Sequence, residues 1–148
     1  MTRPSKPRIF VDADVIFAGS AAPSEYGASL VVLRLGEITL IECVTSEQAM
    51  TEVERNLAAK IPAKLATFRH LASRCLQVVP DPPPEDLVAY HGHADPKDLP
   101  LLVAAHQAGC SHLVTFNVRH YGHSPPVVVQ TPGAFLLTIR GLLVGMGT

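Results

Sequence analysis

Residues 8–19, RIFVDADVIFAG, decide the fold class. Ile9, Phe10, Val11, Val15, Ile16 and Phe17 make a β-branched and aromatic run, and Gly19 and Ser20 supply the turn residues that close it. A run of this length bounded by turn residues suits a strand buried on both faces, as in a parallel sheet. On such a strand Asp12 and Asp14 lie two apart and share a face. The apolar neighbours bury Asp12, and a buried carboxylate is costly unless it is hydrogen-bonded, paired or bound to a cation. Asp12 is therefore either bonded to backbone amides or a ligand, and a second acid on the same strand shifts the balance toward a ligand.

Outward from this stretch, strand and helix patterns alternate. SEYGASLVVLRLG (24–36) carries Leu30, Val31 and Leu33 at helical spacing, with Gly36 where a helix stops. ITLIECV (38–44) returns to strand composition. Thr45 and Gln48 form a capping-box pattern opening a helix through AMTEVERNLAAK (49–60), with Ala49, Val53 and Leu57 on one stripe. Pro62 opens another helix through KLATFRHLAS, CLQVVP is a short strand, and DPPPEDL (81–87) reads as a stiff loop. DPKDLPLLVAAHQAGC (95–110) is a helix with Pro100 in its first turn and Gly109 at its end. SHLVTF and VVVQ are strands, and Thr131 with Pro132 caps a last helix, GAFLLTIRGLL. The expectation is a three-layer α/β/α sandwich around a parallel sheet of about five strands.

The chain has 148 residues, which suits a single domain over 1–148 against a prior of about 150 residues per domain. Hydrophobic residues make up 47% and charged ones only 17%, a balance that excludes disorder and leaves apolar surface for a partner to cover. The N-terminal apolar run resembles a signal peptide, but Asp12 and Asp14 interrupt it, and AFLLTIRGLLVGMG is too short to span a bilayer and contains Arg140. A cytoplasmic protein without membrane contact is expected. Cys43, Cys75 and Cys110 then read as small buried hydrophobes, since no pair has zinc-ligand spacing.

In open α/β sheets ligands bind outside the carboxyl ends of the strands. Asp12 and Asp14 belong to the first strand, Glu52 lies beside the buried stripe of its helix, Asp95 and Asp98 bracket a helix start, and Asn117 follows the strand SHLVTF. Each has an ordinary explanation, capping for Asp95 and Asp98 and a turn for Asn117. Together they gather acidic and amide oxygens at one end of the sheet, and oxygen ligation suits Mg2+ or Mn2+ held jointly with substrate phosphates.

VDADVIFAG, TSEQAMTEVERNL and ADPKDLPLLVAAHQAGCSHLVTFNVRHY, in that order and spacing, resemble the blocks of PIN-domain ribonucleases, in particular the toxins of bacterial toxin–antitoxin pairs. The resemblance spans essentially the whole chain. It implies a metal-dependent endoribonuclease, a cognate antitoxin partner and a homodimer. It places the family's acidic positions on Asp12, Glu52 and Asp98 and its fourth position on Asn117. Two departures stand out: the position two after the first acid is often Asn in the family and is Asp14 here, and the fourth is frequently Asp and is Asn117 here.

On this reading Asp12 and Asp98 hold the metal, and Glu52 ligates a second ion or acts as general base. Thr115 hydrogen-bonds a ligand or a phosphate, and Asp14 and Asp95 are auxiliary. DADVI also resembles the nucleophile motif of haloacid-dehalogenase-type phosphatases, in which Asp12 would attack phosphorus and Asp14 would protonate the leaving group. Asn117 motivates a third reading, a catalytically weak module that binds RNA or protein. HGHAD (91–95) invites a zinc reading, but Pro96 stands where a further ligand is wanted, so His91 and His93 are read as loop residues. His70, His106, His112, His120 and His123 show no ligand spacing and read as surface or substrate contacts.

The formal net charge is −1. If Asp12, Asp14, Glu52, Asp95 and Asp98 converge, they take five of the thirteen acidic residues and leave eight against twelve basic ones. The remaining surface then suits a polyanion, with Lys60, Lys64, Arg69, Arg74 and Arg119 as candidate phosphate contacts.

Overall fold

The computed structural model describes residues 6–24, 27–122 and 125–146. Strands β1 (Arg8–Val11), β2 (Glu42–Ser46), β3 (Leu76–Val79), β4 (His112–Val114) and β5 (Val128–Gln130) form one parallel sheet in the order β3-β2-β1-β4-β5. Helices α1 (Ala13–Ala21), α2 (Ala28–Glu37), α3 (Glu47–Lys60), α4 (Leu65–Cys75) and α6 (Pro132–Met146) pack together as one layer; α5 (Leu99–Gln107) and a 3-10 turn (Pro84–Tyr90) form the other, with α5 over β2 and β4. This is the expected three-layer α/β/α sandwich. Ile9, Phe10 and Val11 are fully buried, so the central strand has no wet face.

The deciding stretch is shorter as a strand than its composition suggests. β1 ends at Val11, and Asp12 turns the chain into α1: its backbone is extended (φ −71°, ψ 158°), its side chain accepts from the Ala13 amide, and its carbonyl accepts from Val15 and Ile16. Asp12 and Asp14 are therefore not two residues of one strand face. Asp12 is a helix N-cap and Asp14 lies in the first turn. The misreading has a physical cause: α1 lies against α2, α3 and α4 and is apolar on nearly every side, so it carries no visible helical period. Gly19 marks a close helix crossing, since a Cβ there would stand 2.8 Å from Leu33 Cδ1.

Four further boundaries differ. The cap of α3 is Ser46, whose Oγ accepts from the Ala49 amide at 3.2 Å; Thr45 stays on β2 and donates its hydroxyl to the Val11 carbonyl at 2.9 Å. Residues 38–41 form a turn, with Thr39 at φ 64°, so β2 starts at Glu42. The segment after the prolines is partly ordered as the 3-10 turn. α5 starts at Leu99, four residues later than expected because residues 96–98 form a turn, but its other signals hold: Pro100 is in its first turn, and Gly109 at φ 77° closes it with the paired bonds of a Schellman motif, Gly109 to His106 and Cys110 to Ala105. Thr131 caps α6 by accepting from Ala134, and the expected stripe Ala49, Val53 and Leu57 is fully buried.

Gly36 does not stop α2, which runs on to Glu37. Its missing side chain admits β2 and the end of α4, because a Cβ would meet Cys43 Sγ and the Cys75 carbonyl, each at 2.9 Å. Gly36→Ala is expected to lower stability by about 1–3 kcal/mol despite the better helix propensity, since overpacking outweighs the ~1 kcal/mol propensity gain. A denaturant melt checks this; a variant more stable than the parent would show that the contact gives way. Cys43, Cys75 and Cys110 are all buried free thiols whose ionisation burial pushes up, which makes them inert core groups.

Candidate metal centre

The strand order turns back beside β1: the chain first adds β2 and β3 on one side, then β4 and β5 on the other. The crevice beyond the carboxyl ends of β1 and β4 is the switch point where such sheets bind ligands. Val11 pairs with Val114 across it, so the residues that follow, Asp12 and Thr115, meet directly. Asp12 is 6% exposed; one oxygen accepts from the Ala13 amide at 2.6 Å and the other from the Thr115 hydroxyl at 2.9 Å. Thr115, itself fully buried, also reaches Asp14 Oδ2 at 3.3 Å and accepts from the Asn117 amide at 3.1 Å. A single hydroxyl proton thus serves two carboxylates.

Asp14 Oδ2 is held further by the Phe116 amide at 3.0 Å and by Asn117 Nδ2 at 3.1 Å. Its other oxygen, Oδ1, is buried and has no hydrogen-bond partner among the described residues. Burial, then the charge of Asp14, pushes Asp12 up to about 7, against the pull of the Thr115 and Ala13 bonds. Burial likewise raises Asp14 above the ordinary carboxylate range.

Glu52 from α3 and Asp98 from the start of α5 line the same crevice of about 250 Å³, together with Asp12, Asp14 and Asn117. Asp98 is positioned as the N-cap of α5, but its side chain caps nothing. Instead its Oδ2 lies 3.0 Å from His120 Nδ1, with Asp95 Oδ2 at 4.0 Å from the same nitrogen. Asp95, Asp98 and His120 offer ligand atoms within 4.8 Å of one another. Asp95 is itself outside the residues that line the crevice.

Four of the sequence-derived acids, Asp12, Asp14, Glu52 and Asp98, are therefore brought together with Asn117, and Thr115 lies directly behind two of them. The sequence reading missed His120, which the 3-10 turn Val118–His120 delivers to Asp98. It missed Tyr121 as well. That side chain is 7% exposed, its hydroxyl has no partner among the described residues, and burial with the fields of Asp12, Asp98, Asp14 and Glu52 pushes its ionisation up. No spacing could have shown either residue, because they are fixed by contacts distant in sequence: the Asp95 amide bonds the His120 carbonyl at 2.7 Å, and Ala94 bridges Tyr121.

His112 packs edge-on to Phe135 and His106 bonds Tyr90, both structural roles; His123 lies outside the described residues. His91 and His93 join no metal-binding group among the described residues. The expected phosphate contacts do not line the crevice. Arg69 is paired with Glu54, and Arg74 is paired with Glu37 at the opposite end of the sheet, whereas Lys97 lines the site.

The donor set fits a divalent cation. It presents several carboxylates, one of them deeply buried, and among the described residues no lysine or arginine pairs with Asp12, Asp14, Glu52 or Asp98.

Comparison with known proteins agrees with this architecture. A chain in the structure of VapBC2 from Rickettsia felis bound to a promoter DNA fragment is similar at TM-score 0.61 and 14% identity, over 84% of this chain and 98% of that one. PAE2754 from Pyrobaculum aerophilum gives TM-score 0.63 and 16% identity over 92% and 97%. VapC20 from Mycobacterium tuberculosis, a sarcin-ricin loop cleaving toxin, gives 0.50 and 16% over 71% and 86%. No curated protein matches the sequence. The PIN domain family model matches residues 8–119, which include every residue assigned above to the crevice except His120, and the chain belongs to the PIN-domain family.

Proposed function

We propose that this chain is a metal-dependent endoribonuclease and the toxin of a toxin–antitoxin pair. The observation that carries the reading is the convergence of Asp12, Asp14, Glu52 and Asp98, from three separate segments, in one crevice at the switch point of the sheet. Membership of the PIN-domain family and the fold shared with VapC20 and VapBC2 support it.

Asp12 and Asp98 are the candidate ligands for Mg2+ or Mn2+, and the neighbouring imidazole of His120 widens the choice toward Mn2+. A cation bound there polarises a phosphodiester and lowers the pKa of water. Glu52, which lines the same crevice, is the candidate to orient or deprotonate the attacking water, or to ligate a second ion. Thr115 fixes the Asp12 and Asp14 carboxylates, Asn117 anchors Asp14, and Asp95 holds His120 from outside. Lys97 is the side chain at the crevice suited to a phosphate.

The α6 face bearing exposed Leu137 and Val144 is a candidate for the antitoxin or a second protomer, while Phe135 and Ile139 turn inward. Among the described residues no helix is long and apolar enough to cross a membrane.

Asp98→Asn tests the reading. RNA cleavage in Mg2+ or Mn2+ is expected to fall at least ~100-fold, the scale of losing an essential electrostatic group. Equal rates for parent and variant would overturn the assignment.

A further inference from the structure

The amide of Asn117 and the carboxylate of Asp14 bond each other at 3.1 Å. These are the two positions at which the chain departs from the pattern it resembles, with an acid where an amide is common and an amide where an acid is common. The crevice therefore keeps one acid and one amide in contact, with their positions exchanged. Chemistry follows from which oxygen is left over. Oδ2 of Asp14 is saturated by Thr115, Phe116 and Asn117, and this fixes the carboxylate plane. Oδ1 has no partner among the described residues, although it is buried. The Val15 backbone amide also acts on this carboxylate from its own helix. An anchored carboxylate with one oxygen free of side-chain hydrogen bonds, in a crevice shared with Asp12, Glu52 and Asp98, is in the arrangement expected of a cation ligand whose orientation is set from behind.

A second observation points the same way. The Tyr121 hydroxyl is buried, unpartnered among the described residues and set in the field of the same four carboxylates. Buried hydroxyls are normally hydrogen-bonded, and one within the field of these acids is suited to a bound solvent molecule, although Tyr121 itself lines the neighbouring pocket of Val118, Val127 and Val129 rather than the crevice.

We propose that Asp14 is the fourth cation ligand of this chain, through Oδ1, and that Asn117 has become its positioning residue, so that the acid of the fourth position is supplied from the first turn of α1. The proposal rests on the metal-dependent reading above, and it removes the reason for regarding Asn117 as the mark of a weakened site.

The test is Mn2+ binding to the full chain, followed by calorimetry and by the electron paramagnetic resonance of the free ion, without RNA. Asp14→Asn is expected to weaken Mn2+ binding at least tenfold. The double exchange Asp14→Asn with Asn117→Asp is expected to restore most of the loss, because it returns a carboxylate to the same contact. Parent-like affinity for Asp14→Asn, or a double variant no tighter than the single, would overturn the proposal while leaving the reading itself intact. A parent chain that binds no Mn2+ would overturn both. Asn117→Asp alone covers the case in which Asp14→Asn does not fold. Two carboxylates then face each other, so the metal-free melting temperature is expected to drop and the Mn2+-induced rise to grow; an unchanged rise would count against the proposal.

Discussion

Asp12→Asn is expected to abolish RNA cleavage while making the metal-free protein more stable near neutral pH. The loss follows from removing the most buried carboxylate of the crevice, and a decrease of at least ~100–1,000-fold is the scale for an essential electrostatic group. The gain follows from the same burial. Asp12 is 6% exposed and pushed up to about 7, so in the metal-free fold its ionised form is held against its preference. An amide keeps the shape, still caps α1, and presents an N–H that the Thr115 hydroxyl can accept. Thermal melts and a cleavage assay on the same preparation check both halves. An inactive variant that also melts lower would show that Asp12 acts structurally.

The second large effect is on stability against pH. The folded-state pKa of Asp12 lies above its ordinary value of 3.8, so between about 4 and 7 the folded chain retains a proton that the unfolded chain releases. Stability of the metal-free protein therefore decreases as pH rises through this window and levels off above about 7, by an amount on the order of a few kcal/mol. Asp14 is raised as well and adds in the same direction. A divalent cation that binds only the folded, ionised site opposes the trend, adding about 2.7 kcal/mol at a hundred times its Kd. That gain shrinks as the pH falls below 7, because protons then compete for Asp12. Melting curves from pH 5 to 8, with and without Mn2+, are expected to diverge toward the alkaline end. Metal-free stability that rises with pH would contradict the placement of Asp12.

The fold class was legible because the buried strands Ile9–Val11 and Leu113–Val114 are apolar on both faces and the amphipathic helix around Val53 shows its period. What misled was α1. Valine, isoleucine and phenylalanine favour strands, and only the cap geometry of Asp12 reveals where the strand stops. The acids were legible because several carboxylates near strand ends need a common reason. Their supports were not. His120 and Tyr121 acquire meaning only when the loop before α5 docks on the segment after β4. Nor does sequence spacing show that one oxygen of Asp14 is saturated and the other bare.

The bond between Thr115 and Asp12 joins residues 103 apart in the chain. Closing so long a loop is slow compared with forming local helices, and it needs β4 in register beside β1. A growing polypeptide that ends before Thr115 lacks the hydroxyl that clasps Asp12 and Asp14, the amides that anchor Asp14, and the His120 that meets Asp98. Synthesis from the N-terminus therefore leaves the centre unassembled until residues 115–120 have emerged.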